Sequence, residues 1–279
     1  MPNVELTPLP RMSTFRKLAV GTWQDAYDPA VYGYLTIRMD KALRYLERFR
    51  EAHGVKLTVT QLVGKAVAGA IAEVPQANAI LRYNRIYLRP TVDLVLHVAI
   101  KGDDDSPPDL SVVKVVEADK RSLLEWVEIM EERVEKVRNR TDEELEKTRS
   151  SVAAMPLLLM NRFLKTLSFL LYTLNLDLRW AGIAKDPFGS AFITSIGSLG
   201  LEAAFVPLAP YTRVPLFVAP GAIRRVPVVQ DDDSIAPESV MTLAATFDHR
   251  FIDGVDAARL AKVVQRWLED PDNHFDALT

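Results

Sequence analysis

Two spacings of apolar residues alternate along the chain, and each switch marks a new element. In "GYLTIRMD" (33–40), Leu35, Ile37 and Met39 recur at every second position, which predicts a half-buried strand. In the "KALRYLERFREA" that follows, Leu43, Leu46 and Phe49 recur at every third, which predicts a helix. "TVTQLVGKAVAGAIAEVP" (58–75) predicts a second helix. Thr58 is placed to cap it, Leu62, Val63, Ala66, Val67, Ala70 and Ile71 form a wide apolar face, and Pro75 stands at its end. "ILRYNRIYLRPTVDLVLHVAI" (80–100) reads as a hairpin turning at Tyr83-Asn84-Arg85, then a further strand; "LSVVKVV" (110–116) reads as another.

Helical spacing then returns. Leu123, Val127, Met130, Val134 and Val137 form a stripe, and "TDEELEKT" (141–148) opens with the capping pair Thr141 and Glu144. "AAMPLLLMNRFLKTLSFLLYTLNL" (153–176) is strongly apolar, but Asn161, Arg162 and Lys165 interrupt it, so it does not read as a membrane span. It reads as a helix buried against the domain or another subunit, with contact to a membrane surface or an acyl chain as the alternative. Strands, or a strand followed by a turn, are expected at 190–200, 213–223, 224–229 and 239–247. The last helix is "GVDAARLAKVVQRWLED" (254–270), capped by Asp253, with Val255, Ala258, Ala261, Val264 and Leu268 along one face. This order predicts a mixed sheet covered by helices, of the α/β or α+β class.

Composition narrows the chemistry. With 279 residues and 48% hydrophobic positions the core can be large. The 34 basic residues against 37 acidic ones leave no basic surplus, so no nucleic-acid partner is expected. The absence of cysteine excludes disulfides, thiolate metal sites and a cysteine nucleophile, and fits a reducing compartment. The opening "MPNVELTPLPRM" lacks a charged region followed by an apolar run, so a cytoplasmic location is expected.

Only four histidines are present. His249 stands between a strand-like run and the start of the last helix, where functional groups tend to be displayed. An imidazole there can take a proton from an alcohol or a thiol; the plainer alternative is a ring that only satisfies backbone groups. His53, His97 and His274 read as structural or solvated. The four show no metal-ligand spacing, so no metal is expected.

The letters around His249 change the picture. "DHRFIDG" resembles the His-Arg-x-x-Asp-Gly signature of the acyltransferase catalytic domain of 2-oxoacid dehydrogenase complexes, a family that shares its fold with chloramphenicol acetyltransferase. "LTVTQLVGKAVAGAIAEVPQANA", "DLSVVKVVEADKRSL" and "ITSIGSLG" resemble further segments of that family in the same order. The resemblance covers roughly residues 12–125 and 182–272. It implies a mixed-sheet sandwich covered by helices, one catalytic domain over 1–279, and a helical apolar insert at about 126–181, with no lipoyl or subunit-binding domain.

The resemblance also assigns roles. His249 falls on the general base, which would deprotonate the thiol of coenzyme A or of a dihydrolipoyl group. Thr194 falls on the hydroxyl that donates to the tetrahedral oxyanion; the family usually has serine there. Ser195, where the family often has asparagine, is the second candidate for that donor. Asp253 falls on the acidic position that keeps the site ordered, often through an arginine near the start of the domain, here Arg16. Arg250 reads as an ion-pair partner, and Gly197, Gly200 and Gly254 as residues permitting tight turns. Coenzyme A is then a substrate, a lipoyl group comes only from another protein, and chains associate as trimers or larger cages with the site between subunits.

Three departures stand out. As a bare catalytic core the chain would be expected to find its acyl donor or acceptor on another molecule, or to use coenzyme A with a different acceptor. Residues 126–181 are longer and more apolar than the family's connection. Asp109 and Val113 replace a usual glycine and proline, after an acidic "KGDDDSPP", in a region that shapes the family's substrate channel. Two other readings stay open: an inactive self-assembling scaffold, and a small-molecule acetyltransferase of the antibiotic-modifying kind.

Overall fold

The computed structural model describes residues 2–8, 28–100, 109–138 and 156–278. In chain order the elements are β1 (Thr7–Pro8), β2 (Ala30–Arg38), α1 (Asp40–His53), α2 (Val59–Glu73), β3 (Ala79–Arg82), β4 (Arg85–Leu88), β5 (Leu94–Ile100) and β6 (Asp109–Val115). There follow α3 (Leu123–Arg138), α4 (Leu157–Ser168, continued by a single π turn, Phe169–Thr173), β7 (Ala191–Ile193), β8 (Leu216–Val229), β9 (Ile235–Asp248) and α5 (Gly254–Glu269).

Local chemistry sets several of these boundaries. The Thr58 hydroxyl accepts from the Gln61 amide N–H at 3.3 Å, and the Gln61 side chain accepts from the Thr58 N–H at 2.8 Å, a reciprocal cap on α2. Tyr83 and Asn84 both take positive φ (49° and 58°), which is what a two-residue hairpin between β3 and β4 requires.

The main sheet has six strands in the order β2-β9-β8-β7-β5-β6. β7 runs parallel to both β8 and β5; the other pairs are antiparallel. One face packs on α1, α2, α3 and α5. Ile37, Leu94, Leu96, Ile193, Val218 and Leu243 meet the helices there. α2 is buried on every side from Gln61 to Ile71, so its alanines and glycines suit a helix wedged between others. The opposite face carries smaller clusters, Val95 with Phe192 and Phe217, and Ile196 with Ala219 and Ala244.

The structure corrects several expectations. β2 starts three residues before the expected strand and stops before Met39, which lies in the bend into α1. The expected hairpin is present, and with β1 it makes a second sheet, ordered β1-β4-β3. Of the strand or strand plus turn expected at 190–200, the structure shows the second, a short strand at Ala191–Ile193 and a 3-10 turn at Gly197–Leu199. The two strands expected over 213–229 are one, with an irregularity between Pro220 and Ile223. On α5 the buried face is Asp256, Leu260, Val263, Val264 and Leu268; Val255 and Ala258 point outward, because the large side chains rather than the alanines settle the helix's rotation. The helix expected at 141–148 lies outside the described residues.

The apolar 153–176 segment is only partly buried. Leu171 and Tyr172 pack with Val4 and Ile80, while Leu159 and Phe169 stay exposed. Among the described residues no helix is long and apolar enough to cross a membrane. Next to this junction lies a buried ion pair: Arg89 Nε meets the Asp186 carboxylate at 3.0 Å, and Arg89 Nη1 donates to the Ala79 carbonyl at 2.9 Å. Lys114 joins from β6, 2.8 Å from Asp93 and 2.7 Å from the Asp186 carbonyl oxygen. Burial pushes the Asp186 carboxyl up, but the charges of Arg89 and Lys114 outweigh it and hold the group below the ordinary aspartate value.

Candidate active site

His249 leaves the sheet at the end of β9. Its N–H donates to the Pro29 carbonyl at 3.0 Å, extending the β2–β9 ladder by one step, and the chain then turns so that Ile252 comes back over the ring. His249 Nδ1 lies 3.0 Å from the Ile252 carbonyl oxygen. A carbonyl only accepts, so Nδ1 carries the proton and the basic lone pair is on Nε2.

The residues either side brace this turn. Arg250 grips the Asp248 carboxylate at 2.9, 3.2 and 2.6 Å, with its guanidinium 5.6 Å from the centre of the Phe251 ring. Arg250 is thus the ion-pair partner expected of it. Asp253 caps α5, accepting from the Val255 and Asp256 amides at 2.9 and 3.0 Å. Its expected link to Arg16 falls on a residue outside the described ones. Asp253→Ala is expected to lose about 1 kcal/mol in urea unfolding, as the loss of a helix N-cap does.

Thr194 lies just past β7. Its N–H donates to the Val218 carbonyl at 3.0 Å, and the Ile196 N–H to Pro220 at 3.1 Å, so the chain stays extended through this stretch. Phe192 and Ile196 both pack on the face away from the helices. Thr194, between them at the same two-residue period, shares that face, and Ser195 points the opposite way. The following turn depends on two glycines: Gly200 has φ 77°, and a Cβ on Gly197 would lie 2.5 Å from the Gly221 carbonyl oxygen. At Gly254, expected to be a third such position, φ is ordinary and the space is open.

Register separates the two candidate groups within one chain. Thr194 stands one step past the Ile193–Val218 pair, level with Ala219 on β8, whereas Asp248 bonds back to Pro215, and β8 itself lies between their strands. That amounts to roughly 13 Å along the strands and about 10 Å across them. A single acyl carbonyl cannot touch both.

Sequence reasoning missed two features near these groups. Arg213, in a left-handed backbone conformation (φ 56°), donates to Ser168 Oγ at 3.1 Å and so ties the end of α4 to the strand beside Asp248. Burial, and then the charge of Arg250, lower its pKa. The second is an exposed apolar patch on the open sheet face: Tyr32, Tyr34, Leu199, Leu201 and Phe205, with Tyr32 edge-on to Phe205 at 5.5 Å. The run "LGLEAAF" could have signalled it. An apolar cavity of about 270 Å³, lined by Gly33, Leu35, Ala70, Leu243, Ala257 and Ala261 among others, lies on the helix side of the sheet, away from Thr194. Among the described residues no three His, Asp or Glu side chains come together as a metal site would need.

Comparison with known proteins decides the family. The family model described as 2-oxoacid dehydrogenases acyltransferase (catalytic domain) matches residues 10–153 and 186–275. The chain belongs to this acyltransferase family. Residues 154–185, including α4, fall between the two matched stretches. The chain is 28% identical over 224 residues to the dihydrolipoyllysine-residue acetyltransferase component of the acetoin cleaving system of Bacillus subtilis (strain 168), covering 79% of this chain and 44% of that one. It spans less than half the length of the curated relatives it matches. Among solved structures it resembles a dihydrolipoamide acetyltransferase of Azotobacter vinelandii (TM-score 0.62, 21% identity, 97% of this chain and 93% of that one). That structure belongs to work on the roles of a serine, a histidine and an asparagine, four residues beyond the histidine, in catalysis. It also resembles chloramphenicol acetyltransferase (TM-score 0.51, 13% identity, 95% and 100%), the fold expected.

Proposed function

We propose that the chain transfers acyl groups between coenzyme A and a dihydrolipoyl group, at sites formed between two copies of itself. The observation that carries this is the His249 ring, held by Ile252 in the tautomer that leaves a basic nitrogen at Nε2. That nitrogen takes the proton from the attacking thiol. The thiolate adds to the thioester carbonyl, the Thr194 hydroxyl of the adjoining copy donates to the oxyanion, and the protonated ring returns its proton to the leaving thiolate. The spacing of His249 and Asp253 equals that of the histidine and asparagine named for the Azotobacter vinelandii protein.

The separation of His249 and Thr194 within one chain supports a shared site. So do the exposed apolar side chains Tyr32, Tyr34, Leu199, Leu201 and Phe205, of which Tyr32 and Phe205 pack together: apolar groups left open to solvent in this number suit a contact with another molecule. A trimer, closed by rotation, repeats one such interface three times and can stand at the corner of a cage.

The test is thioester exchange with acetyl-CoA and longer acyl-CoAs, using free dihydrolipoamide as acceptor. Thr194→Val keeps the shape and removes the hydroxyl, so kcat should fall by about 10²–10³ with KM little changed. A wild-type rate no higher than the uncatalysed background would overturn the enzyme reading and favour the scaffold.

A further inference from the structure

We infer that His97 is a positioning residue that holds the Thr194 hydroxyl in its donating orientation; this rests on the proposal that Thr194 is the oxyanion donor. The parallel ladder between β5 and β7 pairs Leu94 with Ala191, Val95 with Phe192 and Leu96 with Ile193. The next step opposes His97 to Thr194. Side chains opposed in this way stand about 5 Å apart at their bases and on the same face. The face is confirmed from both sides: the His97 ring lies 5.2 Å from that of Phe192, on the side of the sheet where Phe192 and Ile196 flank Thr194.

The ring has an unmet need. His97 Nδ1 is buried and has no hydrogen-bond partner among the described residues. A polar atom in that state calls for a reason, and the hydroxyl on the opposed residue is within reach of a rotamer change. Burial also lowers the pKa of the ring, so it stands neutral, with one N–H to give.

The chemistry gives that N–H a use. A threonine hydroxyl rotates about its C–O bond, and it stabilises an oxyanion only while its proton points at the acyl oxygen. A ring N–H donated to Thr194 Oγ1 occupies one lone pair and leaves the hydroxyl proton for the substrate. No proton is transferred; His97 acts only through Thr194.

The experiment is a double-mutant cycle in the thioester-exchange assay. His97→Leu should lower kcat about tenfold with KM for acetyl-CoA and dihydrolipoamide within about twofold, and should have no further effect in a Thr194→Val background. His97→Asn keeps a donor at the Nδ1 position and should return kcat to within about threefold of wild type. Should leucine not be accommodated, His97→Asn against His97→Val makes the same comparison. A full rate in His97→Leu, an equal loss in both backgrounds, or no rescue by asparagine overturns the inference. A Thr194→Val protein with undiminished kcat overturns the donor reading itself, a distinct result.

Discussion

His249→Ala is expected to reduce acyl exchange between acetyl-CoA and dihydrolipoamide by about 10³-fold, while oligomer size and unfolding midpoint stay near those of the wild type. General-base catalysis by a positioned imidazole contributes about 10²–10⁴ in rate. The loss belongs in kcat, because the proton is removed only as the thiol attacks. Structure should survive because the turn is held by bonds that do not use the ring: His249 N–H to Pro29, Arg250 to Asp248, and the Asp253 cap on α5. His249→Gln separates the two properties of the ring further. Glutamine keeps a donor side chain but no base, so it should be nearly as inactive as alanine.

Arg89→Met is expected to cost about 3–5 kcal/mol of stability, because it strands the Asp186 carboxylate in a buried setting. Asp186 is 7% exposed, so water cannot replace the lost guanidinium. The double variant Arg89→Met/Asp186→Asn should recover part of that loss, since asparagine leaves no charge stranded and tolerates the left-handed backbone at this position (φ 40°). The pH dependence has a definite sign. The folded Asp186 carboxyl lies below its unfolded value, so the pair's contribution is complete above the ordinary aspartate pKa and is lost as pH falls through the folded value. Urea midpoints measured from pH 7 down to pH 3 should therefore fall more steeply for the wild type than for the double variant.

Much of this architecture could be read from letters alone, where one segment carries its own instructions. The α2 cap needed only Thr58 and Gln61, three residues apart, and the β3–β4 turn only Tyr83 and Asn84. Failures came where distant segments decide. The small sheet joins β1 to β4, some eighty residues on, and no local pattern records that pairing. On α5, Val255 and Ala258 fit a helical stripe as well as Leu260 and Val263 do, and only the partner surface chooses between them. The break expected between Ile223 and Arg224 is absent; β8 runs through it, and its irregularity lies between Pro220 and Ile223.

The site divides in the same way. His249 stood out through "DHRFIDG", and Asp253 showed its capping role by preceding a helix. Alternation on an extended chain separates Thr194 from Ser195, but which side is open was legible only after the helices had been placed. His97 had read as one more alternating strand residue in "DLVLHVAI", because its significance lies in a pairing with residues nearly a hundred positions away.

The shared site is tested most directly by mixing two inactive proteins. His249→Ala and Thr194→Val chains, unfolded together and reassembled in equal amounts, should form mixed oligomers in which about one interface in four joins an intact histidine to an intact threonine. Exchange activity should then rise to about a quarter of the wild-type rate, far above either variant alone. Mixed oligomers no more active than their parents would place both groups in one chain's site and contradict the account.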